Sequence, residues 1–164
     1  MAQTPHKLDR IDRRILQALQ ENGGLTNQEL AEKVGLSPSP CLRRVRALED
    51  AGIISHRVAI LNPKQLGLDL SAIILISLDH HIPERFENFE RTVRSYPEVQ
   101  SCYLITGQQA DYMLKVVVPD MDTYQQFLLS RITRIEGVSG VHSSFIMRKV
   151  VDSMAVPLEY LPID

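Results

Sequence analysis

The chain has 164 residues, with 18 Lys/Arg against 20 Asp/Glu, two cysteines and no tryptophan. That length holds one domain or two small ones, and Cys41 and Cys102 are expected as small buried apolar residues, not a disulfide or metal pair. No run of eighteen apolar residues occurs, which excludes a helical membrane span, and MAQTPHKLDRIDRR lacks a secretory leader's charged-then-apolar pattern. Charge is uneven: residues 1–57 carry nine Lys/Arg against seven Asp/Glu, and the remainder nine against thirteen. The basic excess therefore travels with one end of the chain, as it would in a protein that meets nucleic acid there.

Residues 8–22 read as a first helix, with Leu8, Ile11, Ile15, Leu16 and Leu19 at helical spacing and Asn22-Gly23-Gly24 ending it. Thr26 and Glu29 form a capping-box pair for a second helix whose apolar face is Leu30, Ala31 and Val34. Gly35 follows where positive φ is needed. Ser37 is placed to cap a third helix, with Pro38 at its first position. At about 100° per residue, Cys41, Val45 and Leu48 share one side of that helix. Ser39, Arg43 and Arg46 project from the other, with Arg44 at the border. Two short helices joined by a glycine turn, the second bearing three arginines, form a helix-turn-helix. Arg43 and Arg46 are expected in a major groove, where Arg pairs bidentately with guanine, and Ser37, Ser39 and Arg44 on or near phosphates. Arg13 and Arg14 either touch backbone outside the groove or face solvent. Residues 53–60, β-branched and roughly alternating, predict a strand or short wing. Asn62-Pro63 and Gly67 mark a hinge.

The second half alternates in type. Residues 71–79 predict a strand, 83–95 a helix with Phe86, Phe89 and Val93 inward, and 99–106 and 112–118 two strands. Residues 122–135 predict a helix with Tyr124, Phe127, Leu128, Ile132 and Ile135 on one side, and 138–151 contain a last strand. This βαββαβ order is the ferredoxin-like split pattern, with two helices on one face of a four-stranded sheet. The uncovered face predicts dimers through the sheet. His80-His81 sit at a strand end and point to opposite faces, a poor metal arrangement. The fold class is α+β: a winged helix-turn-helix over 1–56, a linker over 57–70, a ferredoxin-like sandwich domain over 71–151, and a tail over 152–164. The tail, with Pro157 and Pro162, either packs on a neighbour or is loose.

The stretch LDRIDRRILQALQENGGLTNQELAEKVGLSPSPCLRRVRALEDAGII resembles the N-terminal domain of the Lrp/AsnC family of leucine-responsive, feast/famine regulators. PEVQSCYLITG and DYMLKVVVPDM are similar to the central strands of that family's sensing domain. The likeness runs from Leu8 to about Val151. It implies dimers through the C-terminal sheets that assemble further, often to octamers, and an amino-acid effector in a cleft between neighbouring dimers. By position it implicates Leu104, Thr106, Gly107, Asp111 and Tyr112 around the turn after the second strand, with Met121, Ser144 and Ile146 as lesser candidates. Backbone N–H groups near Gly107 would hold an α-carboxylate and Asp111 an α-ammonium; the other reading of Asp111 is a solvated or capping turn residue. The family turn is usually Gly, two residues, Asp-Tyr. Here Gly107-Gln108-Gln109-Ala110-Asp111 is one residue longer, which either forms a bulge or moves Asp111 out of reach.

The expectation is a cytoplasmic, nucleoid-associated transcriptional regulator that needs no cofactor. Its partners are double-stranded DNA, further copies of itself and an amino acid such as leucine or methionine, with no membrane partner. The alternatives are an architectural DNA-binding protein without effector, and an enzyme or ligand carrier built on the second half. No P-loop, dinucleotide fingerprint, HExxH or nucleophile elbow supports the last.

Overall fold

The computed structural model describes residues 7–107 and 110–161. These fall into two compact units, one of residues up to Ile60 together with those from Val151, the other Leu61–Val150.

The first unit is built on three helices, α1 (Arg10–Glu21), α2 (Asn27–Val34) and α3 (Pro38–Asp50). Asp9 caps α1: its Oδ1 accepts the Ile11 and Asp12 N–H groups at 2.8 Å each, and Asp12 Oδ2 accepts the Asp9 N–H in return at 3.2 Å. Thr26 and Glu29 form the expected box at the start of α2, and Gly35 ends it at φ +71°. Ser37 occupies the N-cap position of α3, but its hydroxyl makes no cap bond. An N-cap oxygen accepts from the second or third helical N–H, and Pro40 at the third position removes one of these two donors. Ile15, Ala18, Leu30, Val34, Cys41 and Leu48 form the core of this unit. The tail belongs to it: Leu158 is buried in the same core, and Gln20 exchanges two hydrogen bonds with the Val156 backbone at 3.2 and 2.7 Å. Pro162 lies outside the described residues. Residues 53–60 form no strand, contrary to expectation. A strand exists only by pairing, and among the described residues this stretch has no ladder partner; Val58 and Ile60 are 69 % and 75 % exposed.

The second unit is a four-stranded antiparallel sheet in the order β2-β3-β1-β4. Its strands are β1 (Leu70–Leu78), β2 (Val99–Leu104), β3 (Tyr112–Val118) and β4 (Val138–Phe145), with α4 (Pro83–Arg94) and α5 (Met121–Ser130) between them. One face, Ala72, Ile74, Ile76 and Leu78 of β1 with Tyr112, Leu114 and Val116 of β3, is buried with Phe89, Val93, Tyr124 and Phe127 of the helices. Period-2 alternation turns Ile73, Leu75 and Met113 to the other face, where they stay half-exposed. α5 ends five residues before its expected limit. The chain tightens into a short 3-10 turn over Ile132–Arg134, which still buries Ile132 and Ile135. Cys41 is buried as expected; Cys102, on edge strand β2, is exposed, because an edge has a neighbour on one side only.

Candidate nucleic-acid interface and effector site

On α3 the side chains sort by face. Cys41, Val45 and Leu48 are buried, whereas Ser37, Ser39, Arg43 and Arg46 are exposed. Among the described residues Arg43 and Arg46 form no ion pair or hydrogen bond, so both guanidinium groups stand free on one helix face. That is the arrangement a groove-reading helix requires. Asn27 of α2 donates to the Pro38 carbonyl at 2.8 Å, tying the two helices at the turn.

Arg44 is placed differently. Its Nη1 lies 2.8 Å from Asp9 Oδ2 and 2.8 Å from Asp12 Oδ1, turning the side chain toward α1 and away from the exposed face. Partial burial pushes the Asp9 carboxyl up, but the Asp12 N–H and the Arg44 guanidinium outweigh it and hold Asp9 below the usual carboxylate range. Arg44 is raised in turn, first by its hydrogen bond to Asp12. Asp9 and Asp12 carry no role in the sequence reading. Their D-x-x-D spacing was nevertheless a capping-box signal.

The expected effector residues separate into two groups. Leu104 is 61 % exposed at the end of β2, with Thr106 and Gly107 exposed beyond it. Gln108 and Gln109 of the lengthened turn lie outside the described residues. Asp111 faces inward: Leu78 N–H donates to its Oδ2 at 2.7 Å, and His81 Nε2 lies 2.8 Å from its Oδ1. The adjoining backbone is pinned as well, with Ile105 donating to the Asp111 carbonyl and Asp111 donating to the Ile76 carbonyl, both at 2.8 Å. Tyr112 is 1 % exposed and its hydroxyl donates to Glu90 Oε1 at 2.7 Å. Burial first, and Glu90 second, raise its phenol, which therefore stays a neutral donor. Leu104 and Tyr112 border a cleft of about 380 Å³ shared with Glu90, Arg94 and Cys102.

Met121, Ser144 and Ile146 are elsewhere. Ser144 pairs with Ile73 on β4, the opposite edge strand, and Ile146 N–H donates to the Ser71 carbonyl near the start of β1. Met121 opens α5 just past the end of β3. Along the strands Leu104 and Tyr112 stand level with Ile76, Ser144 with Ile73 and Ile146 beside Ser71, so the two groups are offset by about 10–17 Å lengthwise, and they sit toward opposite edges of the sheet, β2 and β4.

A helix-turn-helix with a free arginine face, joined in one chain to a separate βαββαβ domain, defines a DNA-binding transcriptional regulator with a ligand-binding domain. Residues 8–55 match the family model for a winged helix-turn-helix DNA-binding domain, and residues 71–156 that for the Lrp/AsnC ligand-binding domain. The chain is 43 % identical over 146 residues to the leucine-responsive regulatory protein of Escherichia coli, covering 89 % of this chain and 88 % of that protein. It is equally similar to the protein of that name from Salmonella typhimurium. Among solved structures it is similar to a transcriptional regulator of Neisseria meningitidis in complex with L-Met. That likeness has a TM-score of 0.89 at 43 % identity, over 93 % of this chain and 97 % of the other. An AsnC family regulator from Agrobacterium tumefaciens gives 0.88 at 38 % identity, over 94 % and 99 %. The chain belongs to the Lrp/AsnC family.

Proposed function

We propose that this protein reads specific DNA sequences with α3 and that an amino acid, leucine or methionine foremost, tunes the reading through its oligomeric state. The observation that carries the DNA half is the free pair Arg43 and Arg46, unpartnered on the exposed face of a helix whose other face is buried. These two enter the major groove, and Ser37 and Ser39 at the start of the helix meet phosphate. Such a protein acts in the cytoplasm on the nucleoid, as a regulator and not as an enzyme.

The small basic excess of residues 1–57 favours several reading heads acting together, since linked sites multiply weak affinities. The half-exposed Ile73, Leu75 and Met113 support a dimer through the open sheet face, and the exposed Val58 and Ile60 a further contact between copies. Dimers then assemble to an octamer. The effector reading rests on the family's ligand-binding domain and on the relative held with L-Met. Leu104, Thr106 and Gly107 form one wall of the effector site and Met121, Ser144 and Ile146 another. Asp111 and Tyr112 shape the first wall from inside the fold.

The test is the double variant Arg43→Ala/Arg46→Ala against DNA selected by the unaltered protein from a randomised pool. A bidentate arginine contact is worth about 1–3 kcal/mol of discrimination, so preference for selected over random DNA should fall by at least about tenfold. Unchanged preference in a folded double variant sinks the assignment. A protein with no preference before mutation is the architectural alternative.

A further inference from the structure

We infer that Arg44 is a positioning residue, clamping the reading helix to the start of α1 through Asp9 and Asp12, and that it makes no phosphate contact. The inference rests on α3 being the DNA reader. Its basis is how the four carboxylate oxygens are used. Asp9 Oδ1 accepts the Ile11 and Asp12 N–H groups, leaving Oδ2 for Arg44. Asp12 Oδ2 accepts the Asp9 N–H, leaving Oδ1 for Arg44. The capping box of one helix and the ion pair to another are therefore a single network. A single guanidinium nitrogen closes it, 32 and 35 residues further along the chain.

Burial makes the network stringent. Among the described residues Asp12 is the only charged side chain that is buried, at 3 % exposure. A buried carboxylate is tolerated when a hydrogen-bonded cation faces it, and removing that cation weakens its compensation. Electrostatics also separate Arg44 from its neighbours. Flanked by two carboxylates, it presents no net positive charge with which to displace counterions from DNA, whereas Arg43 and Arg46 carry theirs unopposed. Since Arg43 and Arg46 bracket Arg44 on the same helix, the clamp fixes the roll of α3 and hence where both free guanidinium groups point.

The experiment measures binding against salt concentration on selected and on random duplex DNA. It uses the full-length protein and the variants Arg44→Gln, Asp12→Asn, Asp9→Asn, Arg44→Gln/Asp12→Asn and Arg43→Ala/Arg46→Ala. A clamp predicts that Arg44→Gln and Asp12→Asn each weaken binding to selected DNA by about tenfold, the discrimination of one base contact. Binding to random DNA and the salt slope stay near those of the unaltered protein, and the double variant is no worse than either single one. Asp9→Asn keeps a good N-cap residue while removing one carboxylate, so it remains folded and shows a smaller loss of the same pattern. Two results overturn the inference. One is a salt slope shallower by about 0.9 in Arg44→Gln with equal losses on both DNAs, the mark of a lost phosphate contact. The other is full discrimination retained by Asp12→Asn and Asp9→Asn. If instead Arg43→Ala/Arg46→Ala leaves discrimination and slope intact, the reading-helix assignment falls and takes the clamp's purpose with it.

Discussion

Asp9 does two jobs with one carboxylate, and a pH titration separates them. Its folded carboxyl lies below the ordinary value of 3.8, against an opposing push from burial. A depressed folded pKa means that the stabilisation is complete above the unfolded pKa and is lost as pH falls through the folded one. Asn at position 9 keeps the cap but cannot hold a charge. Urea unfolding of the unaltered protein and of Asp9→Asn should therefore differ at pH 6, begin to converge below the unfolded value and meet once the pH has fallen through the folded one. A gap that persists in acid would mean that capping, not the ion pair to Arg44, carries the residue's contribution. Asp12 and Asp111 show where sequence reading stops at this scale. The capping spacing of Asp9 and Asp12 was readable along the chain, because helix caps are local. That Arg44 turns inward was not, because a position at the border of a helix face fits either solvent or a distant carboxylate. Asp111 likewise reads as a turn residue or a ligand contact until Leu78, 33 residues away, is seen to donate to it.

At the scale of elements the capping chemistry yields a contrast between α2 and α3. Thr26 accepts the Glu29 N–H, while Glu29 Oε2 accepts the Thr26 N–H at 2.7 Å. Thr26→Ala should cost about 1 kcal/mol of unfolding free energy, the usual worth of a satisfied N-cap. Ser37→Ala should cost less than about 0.5 kcal/mol, since its hydroxyl caps nothing. Denaturant titration of both variants checks the pair, and an equal loss in each would show that the hydroxyl of Ser37 stabilises α3 after all. Helices and buried strands were readable from periodicity because their partners lie within the same unit and impose one buried face. Residues 53–60 and the far end of 138–151 have the right β-forming composition, yet they lack a ladder partner among the described residues. Composition reports willingness to pair; pairing itself is a property of what lies alongside.

At the scale of the whole molecule, the question is what would bring the two groups of proposed effector residues together. Leu104, Thr106 and Gly107 lie on and beyond edge strand β2, whereas Ser144 and Ile146 lie on and just beyond the opposite edge strand β4, the full width of the sheet away, a separation no single amino acid spans. A ligand that touches both groups must therefore sit where two copies meet, which links occupancy to assembly and assembly to the number of reading heads on DNA. A thermal-shift screen against the twenty amino acids should find a responder; at a hundred times its dissociation constant it adds roughly 2.7 kcal/mol to stability. Leu104→Ala and Ile146→Ala should each abolish that response. The informative sample is the co-expressed mixture of the two. In mixed assemblies some clefts take an intact β2 end from one chain and an intact Ile146 end from its neighbour, so binding measured by calorimetric titration should return at reduced stoichiometry. A site contained within one chain has no such remedy, since every copy in the mixture carries one defect. Restored sites would place the effector between copies, whereas a silent mixture alongside an active parent protein would confine it to a single subunit and break the link from ligand to assembly.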